Sequence, residues 1–265
     1  MKNILVPIGT GSNSGETLQY AVDFAEAFSA TVFVMDVFAV SAKTGSLVNI
    51  SEKVAKSSKE RLKEVIDKVD AKDISIKIAT YNGGITDGLK EIDRELGIDL
   101  IIIAPRSNDI KEELYLGHTT GSIIKKTDIP ALIVPKGTVF SPFKTALTAF
   151  KSGILKKKRM LEPLLSIQNK WGTAVNLLLV KTPGYTEDDL KVNPSLMDIS
   201  EQLTISENAT TYQGVLEHFQ SVQPDLLCVF RRKRGFFKKL WEKNTILKSE
   251  FFVKIPVLML RIKKY

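Results

Sequence analysis

The loop after the first apolar strand contains residue types that can hold a phosphate group. It reads PIGTGSNSG over residues 7–15, and its glycines let backbone amides approach an anion closely. The third glycine falls one residue later than in the dinucleotide-binding pattern G-x-G-x-x-G, while Asp36 lies at a suitable distance to bind a ribose. The alternative is a helix-capping loop with Ser12 or Ser14 as the N-cap. No Walker A sequence is present.

Basic side chains in the C-terminal half offer a second chemistry, anion binding. Up to residue 140 the chain has 17 basic and 19 acidic residues, so the other 21 basic and 11 acidic residues give the second half a net charge of +10. Aromatic residues follow one basic cluster, and such a mixture can bind a polyanion, a nucleic acid or an acidic membrane surface. A solvated loop is the alternative, and nucleic acid is disfavoured because no recognition helix, zinc or RNA-binding sequence accompanies the cluster. The anion-binding candidates are Arg231, Arg232, Lys233, Arg234 and Lys238.

The residue combinations that enzymes use are lacking. The two histidines, His118 and His218, lie in different halves, and Cys228 lies within an apolar strand. No nucleophile has a base at a recognisable spacing, and no group of residues has metal-ligand spacing. The sequence therefore predicts neither a catalytic residue nor a metal site.

The strand segments that must position these residues occur twice in the sequence. The blocks DLIIIA (99–104) and IPALIV (129–134) return 126 residues later as DLLCVF (225–230) and IPVLML (255–260). Further upstream the interval is 143 residues, from the strand that begins at Thr31 to the one that begins at Ala174. The second half is therefore 17 residues shorter between these two points. Two copies of one supersecondary plan are predicted, as domains 1–138 and 142–265.

Each copy alternates strands with helices. The strands are continuous apolar runs, which is typical of parallel strands covered on both faces, and helical segments have one apolar face. An open, doubly wound α/β sheet is therefore predicted in each half. Ligands of such sheets bind at the carboxyl ends of the strands.

Composition fits a cytoplasmic protein. One cysteine allows no disulfide within the chain, which agrees with a reducing compartment. The short apolar run after Lys2 does not match a secretory signal, and no run approaches the roughly 20 apolar residues of a membrane span.

Residues 98–135, with IDLIIIAP and YLGHTTGSIIKKTDIPALIVP, resemble the universal stress protein family, and the whole chain resembles a tandem member. The resemblance implies two flavodoxin-like, adenine-nucleotide-alpha-hydrolase-like domains. Each would be an open five-stranded parallel sheet with helices on both faces. It also implies a role in stress responses and dimerisation through the last strand. One branch of the family binds ATP through G-x-x-G, nine residues and G-(S/T), with an aspartate after the first strand at the adenine.

This chain departs from the nucleotide signature at most positions. Among the glycine positions only Gly117 keeps its residue, and Gly9 replaces the aspartate. The corresponding second-half positions hold Phe230, Lys233, Lys243 and Asn244, so no ATP is expected there. The resemblance implies a degenerate site with no expected cofactor, and weak ATP binding by the first domain is the alternative. The candidate site residues are Pro7, Ile8, Gly9, Val37, Ala104, Ser107, Gly117, His118 and Thr119.

The partner is expected to be an unknown protein or small-molecule ligand. If the last strands pair across the junction, Ile129-Val134 and Ile255-Leu260 form an intrachain pseudo-dimer, as the family's homodimers do. A further homodimer is left open.

Overall fold

The computed structural model describes residues 1–8, 14–38, 47–105, 121, 123–124, 126–155, 157–200, 202–231 and 255–261. They divide into two compact units, of which the first extends to Phe140 and the second begins at Ser141. The strands of the first unit are β1 (Asn3–Pro7), β2 (Thr31–Phe38), β3 (Ile76–Asn82), β4 (Leu100–Ile103) and β5 (Ala131–Ile133). Its helices are α1 (Ser14–Glu26), α2 (Leu47–Ile66) and α3 (Ile85–Leu96).

The sheet of the first unit is parallel throughout, in the order β3-β2-β1-β4-β5. Continuous apolar sequence produces this arrangement because all four residues of β4 are buried. Helices cover both faces. Met35 lies against Gly88 of α3, where a Cβ atom would come within 2.8 Å of Met35 Cε, whereas the next residue, Asp36, contacts α2. Successive side chains of a strand point to opposite faces, so α2 and α3 lie on opposite sides.

The second unit repeats this topology. Its sheet is also parallel, in the order β10-β9-β6-β7-β8. The strands are β6 (Thr145–Phe150), β7 (Ala174–Lys181), β8 (Gln202–Glu207), β9 (Leu226–Arg231) and β10 (Val257–Arg261). The helices are α4 (Glu162–Trp171), α5 (Glu187–Leu190), α6 (Pro194–Met197) and α7 (Thr211–Val222), with a 3-10 turn at Lys158–Leu161. The predicted fold, two open five-stranded parallel sheets with flanking helices, is confirmed.

The missing residues of the second half come from one helix. The twenty residues of α2 correspond to only two single turns, α5 and α6, in the second unit. The first helix of the second unit begins as the 3-10 turn and becomes α-helical at Glu162, with a proline in its first turn. A proline fits there because the first turn needs no N–H donor.

The repeated aspartate holds the centre of each sheet. The Asp99 carboxylate accepts hydrogen bonds from the backbone N–H groups of Lys2 and Asn3, which lead into β1. In the second unit the Asp225 carboxylate accepts those of Lys144 and Thr145 at 2.8 and 3.1 Å. The same residue therefore connects the fourth strand to the first in both copies.

Within the described parts of the chain, no helix combines the length and apolar character that a membrane crossing requires.

Replacing Asp225 with alanine should lower the free energy of unfolding by about 2 kcal/mol. The change removes two charge-assisted hydrogen bonds and leaves two main-chain donors at the start of β6 without their acceptor. Urea unfolding measures the loss. Asp198→Ala, at an exposed position, is the matched control and should change the stability by less than about 0.5 kcal/mol. Equal losses in the two variants would contradict the role given to Asp225.

Candidate functional site

The crevice of the first unit lies where the strand order reverses. The chain leaves β1 toward β2 and later returns to the other side of β1 as β4, so the carboxyl ends of β1 and β4 border a topological switch point. Pro7 ends β1, Ala104 follows β4, and Val37 lies near the end of β2. The structure thus brings four predicted site residues, Pro7, Ile8, Val37 and Ala104, to one edge of the sheet.

The side chains of these four residues are small or aliphatic. Ile8 is buried, and its N–H donates to Met35 O at 2.7 Å, which holds the chain beside β2 as it leaves β1. Pro7, Val37 and Ala104 are half-buried. The other candidates, Gly9, Ser107, Gly117, His118 and Thr119, lie outside the described residues. Among the anion-binding candidates only Arg231, the last residue of β9, is described, whereas Arg232, Lys233, Arg234 and Lys238 are not.

Asp36 has a structural role in the first unit. It is 5% exposed, and its carboxylate accepts hydrogen bonds from Ser58 Oγ and from the Arg61 guanidinium, both on α2. A buried carboxylate requires such partners because it has left water. Asp36 therefore holds α2 on β2, and this replaces the ribose-binding role expected from its spacing. The spacing in the sequence placed Asp36 near the end of the second strand, as observed, but it did not reveal the hydrogen bonds that Ser58 and Arg61 of α2 donate to it.

Two aromatic rings fill the corresponding place in the second unit. Strand pairing matches Ala146 with Leu226 as it matches Ile4 with Leu100, so Phe150 and Phe230 occupy the positions of Ile8 and Ala104. Their ring centroids are 6.2 Å apart at 84°, an edge-to-face contact, and the residues are 3% and 8% exposed. Phe230 therefore puts a bulky ring at the position of Ala104. Sequence reasoning missed its partner Phe150, although Phe150 ends the apolar run TALTAF.

The chain itself covers the loop beside these rings. Gly153, in the loop after β6, donates its N–H to Asp189 O at 2.8 Å and accepts from Asn193 N at 2.9 Å. A Cβ atom at Gly153 would lie 2.5 Å from Val192 Cα, so only glycine fits this close approach. The segment after β7 therefore lies against the loop that follows Phe150. No spacing in the sequence signals this contact, because its two sides are about forty residues apart.

The one cysteine is not a nucleophile. Cys228 is buried within β9, and this burial raises the pKa of its thiol to about 12. The thiol stays protonated near neutral pH, and only the thiolate attacks or binds metals. Among the described residues, no cluster of three His, Cys, Asp or Glu side chains is placed to hold a metal ion.

The strand order and the flanking helices together define an α/β protein of the flavodoxin-like class. The model of the universal stress protein family matches residues 1–135, just over half of the chain. The chain therefore belongs to the universal stress protein family.

Known proteins agree with this assignment. A universal stress protein of Methanocaldococcus jannaschii is 26% identical over 140 residues, which cover 51% of this chain and 82% of that protein. The crystal structure of a universal stress protein from Archaeoglobus fulgidus matches 99% of this chain and 97% of its own, with a TM-score of 0.69 and 18% identity. A functionally unknown protein from Pseudomonas aeruginosa matches 99% of this chain and 93% of its own, with a TM-score of 0.57 and 14% identity. At these identities the structures establish the fold.

Replacing Phe230 with alanine should cost about 3 kcal/mol of stability, because it empties the space between two strands and removes an aromatic contact. Phe230→Leu should cost less, since most of the volume remains. Urea unfolding followed by circular dichroism compares the two variants with Tyr185→Ala, which truncates an exposed aromatic residue of the same unit. The filled-crevice description is wrong if Phe230→Ala is no more destabilising than Tyr185→Ala.

Proposed function

We propose that this chain is a non-enzymatic binding protein of the stress response whose first-unit crevice is a degenerate nucleotide site. The observation that carries the proposal is the difference between the two crevices. The first ends in Ile8 and the small Ala104, whereas the second is filled by Phe150 and Phe230. A ligand can approach the backbone only where the side chains are small, so one chain offers one site.

A tight nucleotide complex is disfavoured by the residues around the first crevice. The adenine aspartate of the family's ATP-binding branch is replaced by Gly9, and the nearby carboxylate of Asp36 already bonds Ser58 and Arg61. A hydrogen bond to a charged group contributes about 1.5–3 kcal/mol. Losing two such contacts removes about 3–6 kcal/mol, which would move a micromolar site to a Kd of millimolar or weaker. The ligand proposed here is therefore a small molecule or protein segment that does not depend on those contacts.

Weak ATP binding by the first unit is the second candidate. It is favoured by the half-buried Ala104, which is small enough to admit a phosphate group near the end of β4. The two candidates differ in one measurable quantity, the stabilisation of the folded protein by excess nucleotide.

A thermal shift with ATP and Mg²⁺ separates these candidates. A site with a Kd near 1 mM should raise the melting temperature by about 3 °C at roughly 10 mM nucleotide, since the ligand then adds about 1.4 kcal/mol. The proposed degenerate site should give a shift below about 1 °C. Gly117→Trp is the control, because the added ring should abolish a rise that comes from the family's phosphate loop. A rise that disappears in this variant would replace the first proposal with the second.

We further propose that residues 142–265 are a shortened and diverged copy of the domain at 1–138. Its filled crevice suits a structural partner. In this proposal the last strand of each unit pairs with that of the other, Ile129-Val134 with Ile255-Leu260. Both β5 and β10 lie at the end of their own five-stranded sheet. Both consist of buried apolar residues, apart from the terminal Arg261 of β10. Such pairing removes two apolar edges. The lone buried cysteine supports a reducing, cytoplasmic location.

Hydrogen exchange tests the pairing with an internal control. If β5 and β10 pair, their amides that point away from β4 and β9 should exchange at least about tenfold more slowly than the outward amides of the edge strands β3 and β8. Equal exchange at all four strands would contradict the pairing.

Polyanion binding by Arg231, Arg232, Lys233, Arg234 and Lys238 stays a prediction. Binding of this kind should weaken steeply with salt.

A further inference from the structure

A groove separate from the crevice runs between α2 and β3. It encloses a cavity of about 380 Å³ lined by Lys56, Lys59, Glu60, Lys63 and Ile78. This volume lies within the range of ligand pockets. None of the described crevice residues lines it. We name this feature the lysine groove.

The lysine groove carries a net positive charge. Its three lysines lie on one side of α2 and span about 10.5 Å along the axis, at 1.5 Å per residue. Lys56 is 3.9 Å from Glu60, and both side chains are exposed, so water weakens this pair. Among the described residues, Lys59 and Lys63 form no ion pair. The groove therefore favours an anionic occupant.

The strand beside the lysine groove has a free edge. β3 ends the sheet of the first unit as the described residues define it. Val32 N–H donates to Ser75 O at 2.9 Å, and Val32 pairs with Ile76. In a parallel ladder this register turns the main-chain N–H and C=O groups of Ile76, Ile78 and Thr80 away from β2. These groups can receive another strand.

The one lysine of β3, Lys77, lies on the face of the strand away from the lysine groove. Lys77 lies on the opposite face of β3 from Ile78, and its Nζ is 5.9 Å from the centroid of the Phe33 ring. Lysines on edge strands commonly prevent unwanted pairing. Here the charges on the α2 side instead line the groove.

We propose that the lysine groove and the free edge of β3 bind an extended acidic segment of a partner protein. The segment adds as a strand beside β3, so its main chain bonds to the outward groups of Ile76, Ile78 and Thr80. Alternate residues of a strand are about 6.7 Å apart and share one face. Three alternating carboxylates span about 13.4 Å and therefore cover the 10.5 Å row of three lysines, with half-buried Ile78 beside them.

The second unit differs in the segment that corresponds to α2. There α5 begins with Glu187, Asp188 and Asp189, and Lys181 on β7 is paired with Glu207 at 3.2 Å. Among the described residues of that segment no row of three lysines is present, so an acidic strand beside β8 would lack the charges that α2 supplies in the first unit. The proposed binding is therefore specific to the first unit.

Fluorescence anisotropy of a labelled peptide of alternating glutamate and threonine tests the proposal with the full chain. Lys56→Gln/Lys59→Gln/Lys63→Gln should weaken binding by about tenfold, because three exposed ion pairs are lost. The matched control, Lys90→Gln/Lys158→Gln/Lys170→Gln, removes the same charge at exposed positions and should stay within about twofold of the native chain. Thr80→Pro removes one outward N–H at an edge that tolerates proline, and it should also weaken binding while circular dichroism shows the native fold.

Three results would overturn the proposal. The first is no binding by the native chain. The second is an equal loss in the two lysine variants, which would mean attraction by net charge alone. The third is sedimentation of the peptide-free chain as a dimer that the groove variant converts to a monomer, since a second copy would then occupy the groove.

Discussion

The position of the first strand beside the fourth is the constraint on which each unit depends, and one carboxylate fixes it. Asp99 and Asp225 directly precede the fourth strand of each unit. Their carboxylates accept hydrogen bonds from the backbone N–H groups at the start of β1 and β6. Because the central strand is held on this side while the next strand pairs on the other, the strand order reverses at the centre of the sheet. The crevice exists only because of this reversal. The aspartate thus recurs because it fixes the first strand beside the fourth. This structural role requires no contact with a ligand.

The two units share this strand order but differ in the side chains at the carboxyl ends of their central strands. At the paired positions the first unit has Ile8 and Ala104, and the second has Phe150 and Phe230. Two edge-to-face rings complete a core and leave no room for a phosphate between the strand ends. The two units therefore differ in side-chain size at two matched positions while they share one topology. Family membership alone does not make this distinction, because it fixes the fold more firmly than the site.

Much of the frame was readable from the sequence. Continuous apolar runs predicted the buried parallel strands, and the interval of 126 residues matched Phe230 with Ala104. Contacts between distant segments were not readable. Nothing in the spacing tells that Ser58 and Arg61 bond to Asp36, or that Val192 lies against Gly153, because such contacts depend on how helices lie over the sheet. Asp36 was misread for this reason. Local sequence reports strand and helix type, whereas the occupancy of a crevice is decided by packing.

The shortening of the second half and the filling of its crevice are connected. In the first unit the twenty-residue α2 lies along β2 and β3, bonds to Asp36 and carries the chain away from the crevice. In the second unit α5 and α6 are too short for that path. The chain instead lies against the loop after β6, and the face that α2 would cover is left partly open. Leu179 pairs with Ile205 as Asp36 pairs with Thr80, and Ile205 is 53% exposed. Loss of one helix therefore uncovers apolar surface at the sheet edge and lets the segment after β7 lie against the loop after β6, while the strand order is retained.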